Sequence, residues 1–121
     1  MKLQIMKVES GGDHTREVVW LKALQACSLG DHILADTTFD EDGTSNRVRH
    51  TFWFPDVMVK KDDRVVVFTK TGKPKTGRTK ADQPLHFLYW NLDEAVWNNE
   101  GDQAVLIEIA DSTSFLVSAA K

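Results

Sequence analysis

The residues best placed to do chemistry in this chain are cations. Between Lys60 and Lys80 stand Lys60, Lys61, Arg64, Lys70, Lys73, Lys75, Arg78 and Lys80, opposed only by Asp62 and Asp63. That is a local balance of +6 in a chain whose net charge is −3, so the remainder carries −9. Within it, Thr71 to Lys80 holds two glycines, one proline and no hydrophobe. A stretch with nothing apolar to bury predicts a mobile loop. Lys70, Lys73, Lys75, Arg78 and Lys80 on such an arm can follow phosphates and release counterions. An aromatic side chain nearby, Trp20 or Trp53, could stack on bases. A solvated loop that guards a sheet edge has the same composition.

Other groups point to less. Cys27 is the single cysteine, so an intrachain disulfide is excluded. With no histidine beside it, it reads as a small buried hydrophobe rather than a nucleophile. His14, His32, His50 and His86 lack the spacing of a local zinc site, and His50 reads as a hydrogen-bonded core histidine. Asp36, Asp40, Glu41 and Asp42 precede Gly43, but basic Arg47–Arg49 occupies the place where a calcium loop needs its late carboxylate. No phosphate-binding loop, dinucleotide fingerprint or Ser-His-Asp order is present. The expectation is a protein that is not an enzyme and uses no cofactor.

These side chains must be positioned by one domain, residues 1–121, because that length supports a core without staples. A 41% hydrophobic and 27% charged composition is that of a soluble globular chain. The N-terminus lacks a signal-like apolar segment and nothing is long enough to span a bilayer, which predicts a cytoplasmic protein.

Strands are predicted at 2–9, 17–24, a third near 29–36, 47–54, 64–69, 85–90, 103–110 and 114–119, with a brief extended piece at Val57–Val59. The turns are Ser10–Asp13, Asp42-Gly43, Lys60–Asp63 and Asp111–Thr113. Alternation puts Val19, Leu21 and Ala23 on one face and Val18, Trp20 and Lys22 on the other. The run from Ala95 to Ile109, with its Asn98–Asp102 turn, reads as the unit around which the other strands pack. About eight short strands with no long amphipathic helix predict an antiparallel β-sandwich. Its expected core contains Val19, Leu21, Leu34, Phe52, Val66, Leu106 and Ile107.

Two stretches together resemble the lamin-tail domain family. Glu17-Val18-Val19-Trp20-Leu21, followed by Leu29-Gly30-Asp31-His32-Ile33-Leu34-Ala35-Asp36, is similar to the family's Glu-x-Val-x-Leu and Leu-x-Gly-Trp-x-Leu-x-Asp. Asn98-Asn99-Glu100-Gly101-Asp102 before Val105-Leu106 resembles its Asn-x-x-Gly-Asp-x-Val-x-Leu. Asp31 and His32 stand where the family has glycine and tryptophan, and Lys61-Asp62-Asp63 replaces a proline-glycine turn. The resemblance implies an immunoglobulin-like sandwich acting as an interaction module. Relatives bind protein or nucleic acid, or accompany secreted or membrane-linked hydrolases, and no active-site residues carry over. Two functions follow as expectations. The first is a non-catalytic module that docks a protein partner of unknown identity through an exposed face around Trp20 or Trp53, or through an edge strand. The alternative is a weak nucleic-acid or polyanion binder using loop 70–80.

Overall fold

The computed structural model describes residues 1–40, 43–97 and 102–118, with backbone alone for 38–40 and 43–48. The Asp42-Gly43 turn, the Asp40–Asp42 side chains and the Asn98–Gly101 turn lie outside that description. The strands are β1 (Leu3–Glu9), β2 (Val18–Ala23), β3 (Cys27–Ser28), β4 (His32–Asp40), β5 (Gly43–Trp53), β6 (Met58–Val59), β7 (Arg64–Phe68), β8 (Lys75–Arg78), β9 (Pro84–Tyr89) and β10 (Asp102–Glu108). A single 3-10 turn, Leu29–Asp31, precedes β4. The chain is an all-β sandwich. One sheet is ordered β1-β2-β7-β9-β8, the other β10-β4-β5, and β3 and β6 form a two-stranded piece.

Period-2 alternation makes the core. From the five-stranded sheet come Leu3, Val19, Leu21, Ala23, Val65, Val67 and Leu88, all buried. Leu34, Phe54 and the partly buried Phe52, Leu106 and Ala104 meet them from the other side. His32 fills the core position where the resembled family has tryptophan. It is fully buried, edge-on to Phe54 at 6.5 Å between ring centres, with Nδ1 3.2 Å from the Leu29 carbonyl oxygen. Asp62 takes a φ of 74° in the turn that lacks proline-glycine, since aspartate tolerates the left-handed region.

Four expectations need correction. Ile107 is not core: it is 40% exposed, because Leu106 faces inward and its neighbour must then face out. The run to Ile109 is not the unit around which the other strands pack either, since among the described residues β10 pairs with β4 alone, at the edge of its sheet. Residues 111–118 form no strand, and Phe115, Leu116 and Val117 are 90%, 89% and 83% exposed. Finally, the sheets are not wholly antiparallel, because β7 and β9 run parallel. The segment between them provides the crossover that a parallel pair requires.

One buried carboxylate ties these pieces together. Glu17, fully buried, accepts from Thr69 Oγ1 and the Val96 amide, both at 2.6 Å, through Oε1. Its Oε2 accepts from the Gly12 amide at 3.1 Å and the Trp97 amide at 3.4 Å. Donors from the β1–β2 turn, the end of β7 and the segment before β10 thus converge on a single side chain. The approach is close: a Cβ on Gly11 would lie 2.6 Å from the Trp97 carbonyl oxygen.

Candidate interaction surface

The sandwich has two outer faces, and the register settles what each displays. Across the five-stranded sheet, Lys7, Trp20, Val66, Phe87 and Lys75 align in one row. The next row holds Glu9, Val18, Phe68 and Tyr89. Phe68 stacks on Tyr89 at 5.4 Å and on Phe87 at 6.4 Å. Lysine ammonium groups lie over these rings: Lys7 over Trp20 at 5.2 Å, Lys70 over Phe68 at 5.1 Å and Lys75 over Phe87 at 5.2 Å. Such placements gain from the negative face of the ring, while the lysine stems cover apolar surface. Beneath them Val18, Val66 and Leu85 form a second, smaller buried cluster. Val66 is therefore buried as expected, but on the outer side of its sheet.

The basic segment is not a free arm. Lys75–Arg78 is strand β8, hydrogen-bonded antiparallel to β9. The two glycines that read as mobility let the backbone lie flat on aromatic rings. A Cβ on Gly72 would fall 2.5 Å from the Tyr89 ring, and one on Gly77 would fall 3.1 Å from Phe87. Backbone pairing and ring contact thus replace the hydrophobes the segment lacks. Of the predicted cations, Lys70 and Lys75 join the aromatic face. The Arg78 guanidinium instead donates to the Asp82 carbonyl oxygen at 2.9 Å and lies 3.4 Å from its carboxylate. Lys73 and Lys80 are exposed in the flanking loops.

Trp53 belongs to the other outer face. Across the three-stranded sheet, Ile107 pairs with Ile33 and Ile33 with Trp53, giving an apolar row on the side away from the core. Trp53 is 60% exposed. Its Nε1 donates to the Gly30 carbonyl oxygen at 2.8 Å, so the ring is held in place and its polar atom is already satisfied. The two candidate tryptophans therefore lie on different sheets. Sequence alternation separated Trp20 from the core, but the register that aligns it with Phe87 and Lys75 depends on the β7–β9 parallel pairing.

The titratable groups are arranged structurally. His50 Nδ1 is 3.1 Å from the buried Asp36 carboxylate, and His86 Nε2 is 3.4 Å from Asp63. Among the described residues no group of three or more histidine, cysteine and acidic side chains could hold a metal ion. Burial pushes the Cys27 thiol pKa up; Lys2 opposes the shift, and Asp31 and Glu108 add to it. A thiol so placed is a poor source of thiolate. Glu108, at the end of β10, accepts from the Lys2 amide at 3.2 Å, and this bond holds its carboxyl below the usual range.

No family model, curated protein or solved structure matches this chain. Among the described residues no helix is long and apolar enough to cross a membrane.

Proposed function

We infer that this protein is a non-catalytic interaction module of the lamin-tail kind that docks a protein partner through the outer face of its three-stranded sheet. The observation that carries the reading is Trp53. It is a large aromatic ring, 60% exposed, with its N–H bonded internally and two isoleucines aligned beside it across the sheet. An anchor of that form buries apolar area in a partner at little ordering cost, which is how interface tryptophans dominate binding. The family assignment is supported by its opening motif, since Glu17, Val19 and Leu21 of Glu-x-Val-x-Leu are all fully buried. The test is affinity capture with the wild-type chain against Trp53→Ala, followed by titration of the captured protein. Loss of about 2 kcal/mol or more of binding is the expected result for a central anchor. Capture unaffected by Trp53→Ala overturns the reading.

A second reading is favoured by a separate observation, the lysines over the aromatic stripe of the five-stranded sheet. Rings and cations interleaved on one face are what a single-stranded nucleic acid or other polyanion engages, through stacking and phosphate contact. Anisotropy titration of a labelled single strand at two salt concentrations tests it. Binding insensitive to salt and to Phe87→Ala ends that alternative.

A further inference from the structure

We propose that the segment after β10 inserts as a strand into the sandwich seam of a second copy of this chain, giving a two-fold dimer by reciprocal exchange. The acceptor is an open apolar groove of about 370 Å³ where the two sheets meet, lined by Met1, Leu3, Gln4, Ile5, Leu24 and Leu106. Its lips are β1 and β10, and among the described residues each is an edge strand with a single partner in its sheet. Edge strands of this kind offer backbone hydrogen bonds to an incoming strand. At one end the seam is closed by the Lys2 amide on the Glu108 carboxylate at 3.2 Å, which leaves the apolar stretch open.

The donor comes from the same lip. Ser114-Phe115-Leu116-Val117 has strand composition, yet within the described chain it pairs with nothing, and its three apolar side chains are 83–90% exposed. Phe115 and Val117, two apart, share one face of an extended strand and would enter the groove together. Leu116 would face out. The direction of the chain selects a second copy over the chain's own groove. The Ile109 amide bonds to the Asp31 carbonyl oxygen at 2.7 Å, which continues the β10–β4 ladder and carries the backbone past the seam. The four residues 110–113 then span about 13 Å in extended form. That reach suits a neighbour related by a two-fold axis beside β10, and such an axis makes the exchange mutual and closed. This dimer does not depend on the Trp53 face.

Sedimentation of the full chain over a concentration series should show a reversible dimer. Phe115→Asp with Val117→Asp should weaken it at least tenfold, and because both side chains are exposed in the single chain, the variant should keep the wild-type melting temperature at concentrations where the wild type is monomeric. A peptide of residues 110–118, titrated into that double variant, should bind it and should fail to bind once Leu24→Glu is added to the groove. A full chain that is monomeric at every concentration overturns the proposal. So does a double variant that is monomeric like its parent but melts lower, which would place the segment in its own seam. A dimer that survives the double variant but is lost in Trp53→Ala also overturns it, while leaving the Trp53 surface standing.

Discussion

The two outer faces of this sandwich treat their aromatic side chains in opposite ways. On the five-stranded sheet Trp20, Phe68 and Phe87 are half-buried, stacked or roofed by lysines, and rest on a small buried cluster of their own. On the three-stranded sheet Trp53 stands 60% exposed, tied by one hydrogen bond. The difference is one of burial. The first face gains folding energy from its rings, because their area is already removed from water. The second leaves most of its ring in water, where on the proposed reading a partner would cover it. Exposed and covered aromatics of similar size should therefore respond differently to truncation: stability for one, binding for the other.

The largest expected effect is common to both faces. Glu17 bonds four donors from three segments, and Glu17→Ala would leave three of them, the Thr69 hydroxyl and the Val96 and Trp97 amides, buried without an acceptor. Loss of a buried hydrogen-bond network of this kind should cost about 3–5 kcal/mol in urea unfolding. Glu17→Gln keeps the shape but turns a donor toward amides that need an acceptor, and should cost about 1–3 kcal/mol. If Glu17→Ala unfolds with a loss under about 1 kcal/mol, the clasp is not what holds the two faces to a common frame.

Next in size is the direct contrast. Phe87→Ala on the covered face should lower stability by about 2–3 kcal/mol, below the full cost of a core phenylalanine because the ring is only half-buried. Trp53→Ala should lower it by less, about 1–2 kcal/mol, since more than half of that ring is already in water and the main loss is the partner of the buried Gly30 carbonyl. Equal losses measured in parallel urea melts would erase the distinction between the faces.

How much of this was legible in the sequence follows from where the information sits. The strand alternation that buries Val19, Leu21 and Leu34, and that sets Trp20 apart, is a property of each segment alone. So is the burial of Cys27. Edge or centre is not. Ile107 and Leu106 look alike in the run Val105-Leu106-Ile107, and only the face of β10 that packs on the other sheet decides which of them meets water. The basic segment shows the same limit. Its glycines and lack of hydrophobes are equally the marks of a mobile loop and of a strand lying on rings, and the rings belong to β9, which follows it in sequence. Glu17 opens the Glu-x-Val-x-Leu stretch, but its donors come from residues up to 80 positions away, which no local pattern reveals.

A smaller effect concerns the lysine roof. Lys7, Lys70 and Lys75 are anchored over rings, yet their ammonium groups stay near solvent, where such contacts contribute about 0.5–1 kcal/mol each. Replacing all three by methionine keeps the apolar stems and removes the charge. Stability should then fall by no more than about 3 kcal/mol in total. If a single strand is bound on this face, its affinity should drop and lose much of its salt dependence, by up to about 0.7 in logarithmic slope per lost phosphate contact. An unchanged slope would leave the roof with a purely structural role.

The smallest effect lies where the two sheets meet. The Lys2 amide bond depresses the folded pKa of Glu108, so the unfolded chain takes up a proton at this site at higher pH than the folded one does. The stabilisation is thus present above the ordinary carboxylate value of about 4.3 and is lost as pH falls through the lower folded value. Glu108→Gln removes it, so the difference between wild type and variant should shrink toward zero as the pH is brought from about 6 to about 2. Urea midpoints measured across that range provide the check. The difference should be small, because the carboxylate is partly open to solvent, and salt should reduce it further. A difference that grows on acidification would mean that Glu108 is held protonated in the folded chain, and that the seam is not joined by the Lys2 amide.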